Sequence, residues 1–258
     1  MGKEYIIIKE EKIYVPPGME ERKPLFLRHI KSYEYIIDYI KNKKVLDVGC
    51  GNGYGSYLMS KYATEVIGID VSPRCIKYAE KNYKRENLKF ILMDALELDK
   101  NFPSEFFDVI VAMEFIEHLN NPLKFLKIAY KLLKERGNLI LSTPNKEARK
   151  IKGKPWNPEH VQEFDLTSLN NLLLQVFSSV RIIGMTGTQK TIEYDYIRTG
   201  GNLPPYLKNL WRYIPEIVKK IIRKIITKKL PQDIELKDFY FTDEINSSCF
   251  SLLAFCFK

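Results

Sequence analysis

The chain has 258 residues, 45% hydrophobic and 28% charged, which suits one large α/β domain or one domain with a substantial insertion and leaves room for a full core. No run of ~18 or more apolar residues occurs, which excludes a transmembrane helix, and MGKEYIIIKEEKIY at the start is too short an apolar stretch for a signal peptide. A net charge of +9 favours acidic partners such as nucleic acid, an anionic membrane surface or a phosphorylated substrate, against the alternative of a generally Lys-rich surface.

In chain order, residues 24–43 read as a helix leading into a first strand. From Lys44 to Asn145 strand-like and helix-like segments alternate. KVLDVG, EVIGID, LKFILMDA, FDVIVAME and GNLILSTPN are short runs rich in Val, Ile and Leu, as strands buried on both faces require. Ser72-Pro73 and Asn121-Pro122 each put an N-cap residue before a proline at the first helical position. Gly137 reads as the stop of the second of these helices. A helix follows at 165–177, capped by Asp165 or Thr167, then a strand at SSVRIIGM. Residues 187–246 break the pattern and read as an insertion with a basic amphipathic helix. SSCFSLLAFCFK is a last strand that could join the sheet antiparallel. The expected fold is a single α/β domain over 1–258, with a doubly wound, mostly parallel sheet.

Chemistry concentrates first at VLDVGCGNGYGS. Gly49, Gly51 and Gly53 let the backbone turn sharply and approach a ligand closely. A dinucleotide-binding turn would want glycine where Tyr54 stands. Asp47, just before the loop, would repel a pyrophosphate but suits a cation such as the ammonium of a methionine moiety. Asp70 closes the second strand about 20 residues further on, where an acid commonly holds ribose hydroxyls. Asp94 follows the third strand, where a carboxylate could meet an adenine amino group. A nicotinamide-dependent oxidoreductase is disfavoured by Asp47 and Tyr54.

These motifs (LDVGCGNG, GIDVS, DA at 94–95 and FDVIVAMEFIEHL) resemble the successive motifs of class I S-adenosylmethionine-dependent methyltransferases over residues 24–180. VPPG…R, CGNGYGSYLM, EFIEHL and STPN…HVQEF are similar to bacterial and archaeal enzymes associated with cell-envelope glycans and to ubiquinone-pathway O-methyltransferases. The resemblance implies a seven-stranded sheet with an antiparallel last strand and attack of a substrate nucleophile on the sulfonium methyl. It places Asp47, Gly49, Gly51, Gly53, Asp70, Asp94, Ala95 and Glu114 around the cofactor.

A second constellation follows the fourth strand. Glu114, Glu117 and His118 form E-x-x-E-H, and a helical turn starting after Glu114 would gather all three side chains. His160 follows the fifth strand. Two carboxylates and two imidazoles could hold Mg²⁺ or Mn²⁺ and bind acceptor hydroxyls. The pattern also resembles small-RNA 3′-terminal 2′-O-methyltransferases, which implies Glu114, Glu117, His118 and His160 as metal ligands. Alternatively, His118 acts as a general base without metal, with Glu117 beside it, or the pair only caps a turn. No RNA-recognition motif is present, so RNA is the less favoured acceptor, and the lack of N-P-P-Y after the fourth strand argues against amino-group methylation of nucleobases.

Residues 206–230 place Leu207, Leu210, Trp211, Ile214, Ile217, Val218, Ile221, Ile222, Ile225 and Ile226 on one helical stripe, with lysines and arginines opposite. Such a helix either packs on the domain or a second subunit, or lies in a membrane interface. Cys50, Cys75, Cys249 and Cys256 form no C-x-x-C pair, which fits a reducing, cytoplasmic setting, peripheral at the membrane if this helix binds there. The expected function is O-methylation of a glycan, glycolipid or other small-molecule acceptor. The rivals are a metal-dependent RNA 2′-O-methyltransferase and a non-catalytic cofactor-binding scaffold that recruits a partner through 206–230.

Overall fold

A computed structural model describes residues 5–8, 11–14, 23–149, 157, 159–198, 214, 218 and 233–258. β1 (Tyr5–Ile8) and β2 (Glu11–Tyr14) pair antiparallel. Then come α1 (Lys23–Tyr35), α2 (Ile37–Ile40), β3 (Lys44–Val48), α3 (Tyr54–Ser60), β4 (Glu65–Asp70), α4 (Pro73–Asn82) and β5 (Leu88–Leu92). They are followed by α5 (Leu98–Asn101), β6 (Phe107–Met113), α6 (Pro122–Leu132), β7 (Leu133–Pro144), α7 (Leu166–Leu173), β8 (Ser179–Gly187), α8 (Gln189–Arg198), β9 (Phe239–Thr242) and β10 (Ser251–Phe257).

The large sheet runs β5-β4-β3-β6-β7-β10-β8-β9. The β5-β4, β4-β3, β3-β6 and β6-β7 pairs are parallel, whereas β10 lies antiparallel between β7 and β8. Seven of these strands match the expected sheet. The eighth, β9, comes from the insertion and pairs antiparallel with the free edge of β8.

Alternation along β3 explains how the sheet is covered. Leu46 and Val48 join one buried cluster with Ile67, Ile69, Phe125 and Leu126. Val45 joins the other with Phe26, Ile30, Leu58 and Val66. Successive side chains on a strand face opposite sides, so Asp47 belongs to the second face, toward α1 and α3. A carboxylate thus occupies a core position.

The caps follow the sequence. Ser72 accepts from the Cys75 N–H at 3.3 Å, Asn121 from Lys124 at 3.0 Å, and Asp165 from Ser168 at 2.8 Å, so Asp165 rather than Thr167 caps α7. Two expected boundaries shift. The helix at 24–43 is interrupted at Ile36 and ends at Ile40, and Asn42 turns the chain at φ 57°, a conformation asparagine tolerates better than most residues. α6 ends at Leu132, not at Gly137, which lies within β7. There Arg136 takes φ 63° and the β6–β7 register shifts between Phe107 and Val109, so glycine serves an irregular strand instead of a helix stop. In the described part of the insertion, Tyr194 of α8, Ile234 and Phe239 pack with Leu27 of α1 and Phe250. The amphipathic segment 206–230 lies outside the described residues apart from 214 and 218. Among the described residues no helix is long and apolar enough to cross a membrane.

Candidate functional site

Parallel strands bring their carboxyl ends to one edge, and the strand order reverses beside β3, where open α/β sheets bind ligands. Asp47, Asp70, Asp94 and Glu114 all lie at or just beyond the carboxyl ends of β3, β4, β5 and β6.

In the loop after β3, Gly49, Gly51 and Gly53 have φ of 70°, 52° and 82°. Their surroundings differ. A Cβ on Gly49 would lie 2.6 Å from the Phe115 ring, and one on Gly53 2.6 Å from Ala79 and 2.7 Å from Phe90. A Cβ on Gly51 would meet nothing within 4 Å. Gly49 and Gly53 are therefore demanded by packing, while Gly51 bares its backbone to an open space that suits a closely approaching ligand.

Asp70 fastens this loop. Its Oδ2 accepts from the Gly51 N–H at 2.9 Å and its Oδ1 from the Ser72 N–H at 2.8 Å. Each oxygen retains a lone pair that can accept from a further donor. The next residue, Val71, is 67% exposed and offers an apolar surface at the cleft edge. Asp94 is exposed and caps the turn Ala95–Glu97 by accepting from Leu96 at 2.8 Å, while Ala95 is buried.

Asp47 has no exposed surface. Ser56 Oγ donates to its Oδ2 at 2.5 Å and the Tyr33 hydroxyl to its Oδ1 at 3.4 Å. Burial lifts its carboxyl to about 7, against the opposing pull of those two donors, and the nearby Asp70 adds to the rise. A cation above the loop would feel this carboxylate through a poorly screened interior. Tyr54 lies under the same loop, edge-on to Phe26 and Tyr33, with its hydroxyl 3.2 Å from His29 Nδ1. Burial, then Asp47 and Glu114, push its phenol up.

The second constellation assembles only in part. Glu114 has φ 50°, and the helical turn begins at Ile116 and ends at His118. A left-handed residue followed by a single tight turn cannot set Glu114 in i,i+3 register with Glu117. Instead its Oε1 accepts from Ser142 Oγ at 3.1 Å, and its Oε2 lies 3.9 Å from buried Arg28 on α1. Arg28 also reaches Asp195 of α8 at 3.5 Å, joining the insertion to the site. Glu117, His118 and His160 do converge, with one ligand atom of each within 4.8 Å of the others. Glu117 is buried and accepts from Thr143 Oγ1 at 3.0 Å. His118 is exposed, and its Nδ1 is 3.0 Å from the Glu159 carbonyl. The His118 and His160 rings stand edge to face, 5.0 Å between centroids. Main-chain bonds hold the His160 segment there: Val161 N–H donates to the Glu117 carbonyl at 2.9 Å and Lys146 N–H to the Phe164 carbonyl at 2.8 Å.

Without Glu114, the group Glu117, His118 and His160 offers one carboxylate oxygen and two imidazole nitrogens, a mixed donor set that suits a first-row divalent ion such as Mn²⁺ better than Mg²⁺, which prefers oxygen ligands. Sequence reasoning passed over Arg28, Val71, Ser142, Thr143 and Glu163. Glu163 alone carried a local signal, three residues after His160.

A reversing parallel sheet with this loop and these strand-end acids defines a class I S-adenosylmethionine-dependent methyltransferase. The chain belongs to the family described as "Methyltransferase domain", whose model matches residues 40–204. It is 30% identical over 158 residues to a probable S-adenosylmethionine-dependent methyltransferase of Mycolicibacterium smegmatis, covering 61% of this chain and 60% of that protein. It is 36% identical over 134 residues to a ubiquinone biosynthesis O-methyltransferase of Pelagibacter ubique, covering 48% of this chain and 54% of that protein. The fold matches a SAM dependent methyltransferase from Archaeoglobus fulgidus with a TM-score of 0.60 at 20% identity, over 90% of this chain and 94% of that one. The chain thus spans little more than half the length of these two curated relatives.

Proposed function

We propose that this chain O-methylates a hydroxyl on a glycan, a glycolipid or another small-molecule acceptor, using S-adenosylmethionine. The observation that carries the reading is the cluster of Glu117, His118 and His160 at the same sheet edge as the Gly51 cradle. The likeness to a ubiquinone biosynthesis O-methyltransferase supports oxygen as the accepting atom.

The cofactor supplies an electrophilic methyl on a sulfonium. The acceptor oxygen attacks that methyl carbon in line, the carbon–sulfur bond breaks, and its electron pair stays on sulfur. The hydroxyl proton needs a base, and His118 is placed for it: its Nδ1 donates to a carbonyl, which leaves Nε2 with a lone pair. The loop and Asp70 align the donor, so most of the acceleration is proximity and orientation. A Mg²⁺ or Mn²⁺ held by Glu117, His118 and His160 would polarise the acceptor hydroxyl.

The first test is calorimetric titration with S-adenosylhomocysteine, followed by turnover on glycan, lipid and RNA acceptors with and without divalent metal. Binding with turnover on a hydroxyl acceptor is expected. Binding without turnover on any acceptor would favour a scaffold, and turnover restricted to RNA ends would favour the 2′-O-methyltransferase alternative. His118→Ala is expected to lower kcat by about 10²–10⁴-fold. Transfer that survives EDTA unchanged, in protein purified without metal, would remove the cation and leave His118 as a metal-free base.

The segment 206–230 is proposed to bring the site to a lipid-linked acceptor by lying on an anionic membrane. The intact chain is expected to co-sediment with liposomes containing anionic lipid and not with neutral ones. Failure to bind either would leave the helix to a protein contact.

A further inference from the structure

We infer that Glu163 is a positioning residue that fixes the tautomer of His160 and sets the charge of the cation site, an inference that rests for its second part on the metal reading above. His160 Nδ1 lies 3.1 Å from Glu163 Oε1, and the two side chains are 6% and 7% exposed. A carboxylate accepts and cannot donate, so this bond puts a proton on Nδ1 and, in the neutral ring, leaves the Nε2 lone pair free for a ligand. The bond is shielded from water, so competition from solvent is small.

The two histidines reach the same tautomer by different means. His118 is oriented by the neutral carbonyl of Glu159 and is exposed, whereas His160 is oriented by a buried carboxylate. A carboxylate behind a ligating imidazole raises its basicity as well as fixing its ring. Glu117 and Glu163 set two carboxylates against the two imidazoles, and a divalent cation would balance that charge. The backbone reinforces this arrangement. Gln162 stands between His160 and Glu163, and its side-chain amide donates to the Leu119 carbonyl at 3.0 Å, tying the segment to the turn that carries Glu117 and His118.

Two variants of Glu163 separate geometry from charge. In Glu163→Gln the amide oxygen can still accept from Nδ1, but the charge is gone. In Glu163→Ala both are gone. The chain has three histidines, His29, His118 and His160, so ¹⁵N-histidine labelling with long-range ¹H–¹⁵N correlation resolves each tautomer once single His→Gln variants assign the signals. Free Mn²⁺, counted by electron paramagnetic resonance, reads the affinity without any methyl transfer, and circular dichroism checks that each variant is folded.

The wild type and Glu163→Gln are expected to hold His160 as the Nδ1–H tautomer, and Glu163→Ala to show a mixture. Mn²⁺ affinity is expected to fall about 10–100-fold in Glu163→Gln and at least as far in Glu163→Ala. A single Nδ1–H tautomer that persists in Glu163→Ala would overturn the positioning role. Wild-type Mn²⁺ affinity in both variants would overturn the charge role. Absence of Mn²⁺ binding by the wild type would bring down the metal reading and the charge role with it, while the tautomer of Glu163→Ala would still decide the positioning role.

Discussion

Gly51→Leu is expected to fold and yet to lose at least about a hundredfold in affinity for S-adenosylhomocysteine, a penalty of about 2.7 kcal/mol or more. The backbone at Gly51 has φ 52°, so a side chain there costs about 1–2 kcal/mol of stability through left-handed strain. No atom of the protein obstructs a Cβ at that position, so the leucine enters the open space over the loop. If the cofactor lies there, the leucine displaces it. The neighbouring glycines supply the contrast. Leucine at Gly49 must displace the Phe115 ring, and at Gly53 it meets Ala79 and Phe90, so both variants are expected to lose far more stability than Gly51→Leu. Urea unfolding and calorimetry on the three variants separate the two effects. Wild-type affinity in a folded Gly51→Leu would move the cofactor elsewhere on the sheet edge.

What could be read from the sequence was local. Each parallel strand announces itself by an apolar run, and the acids at Asp47, Asp70 and Asp94 follow those runs directly. Helix starts were legible because Ser72, Asn121 and Asp165 cap within three residues of themselves. The stop of α6 was not, because Gly137 is required by an irregular strand and the helix ends earlier on its own. β9 has four residues within a polar stretch, and only the free edge of β8 makes it a strand. The E-x-x-E-H spacing promised one helical face, but a single left-handed residue at Glu114 redirected that side chain to Ser142 and Arg28. The partners that shape the site come from far along the chain: Thr143 is 26 residues from Glu117, and Asp195 is 167 from Arg28. No spacing rule reaches that far, because such contacts are set by which elements the sheet brings together.

Asp47 is expected to tie cofactor binding and stability to pH in opposite senses. Its carboxyl sits at about 7 in the folded chain, chiefly through burial, against about 3.9 in an unfolded one. The unfolded chain therefore ionises first. The stability that Asp47 contributes is fully present below pH ~4 and is lost as pH rises through about 7, on the order of 4 kcal/mol at 1.36 kcal/mol per pH unit. Asp47→Asn removes the ionisation, so its stability is expected to lack this decline when urea unfolding is followed from pH 4 to 8. A cationic ligand above the loop acts the other way, since it prefers the ionised carboxylate. Affinity for S-adenosylhomocysteine is then expected to rise about tenfold from pH 6 to 8 in the wild type, as the ionised fraction climbs from about a tenth to nine tenths around a midpoint near 7. Binding at pH 6 should release close to one proton, which calorimetry in buffers of different ionisation enthalpy can count. Asp47→Asn should bind with little pH dependence over this range. A wild-type affinity that stays flat from pH 6 to 8, with no proton released, would show that the ammonium group is not coupled to Asp47, and the carboxylate would then serve only to hold Ser56 and Tyr33 beneath the loop.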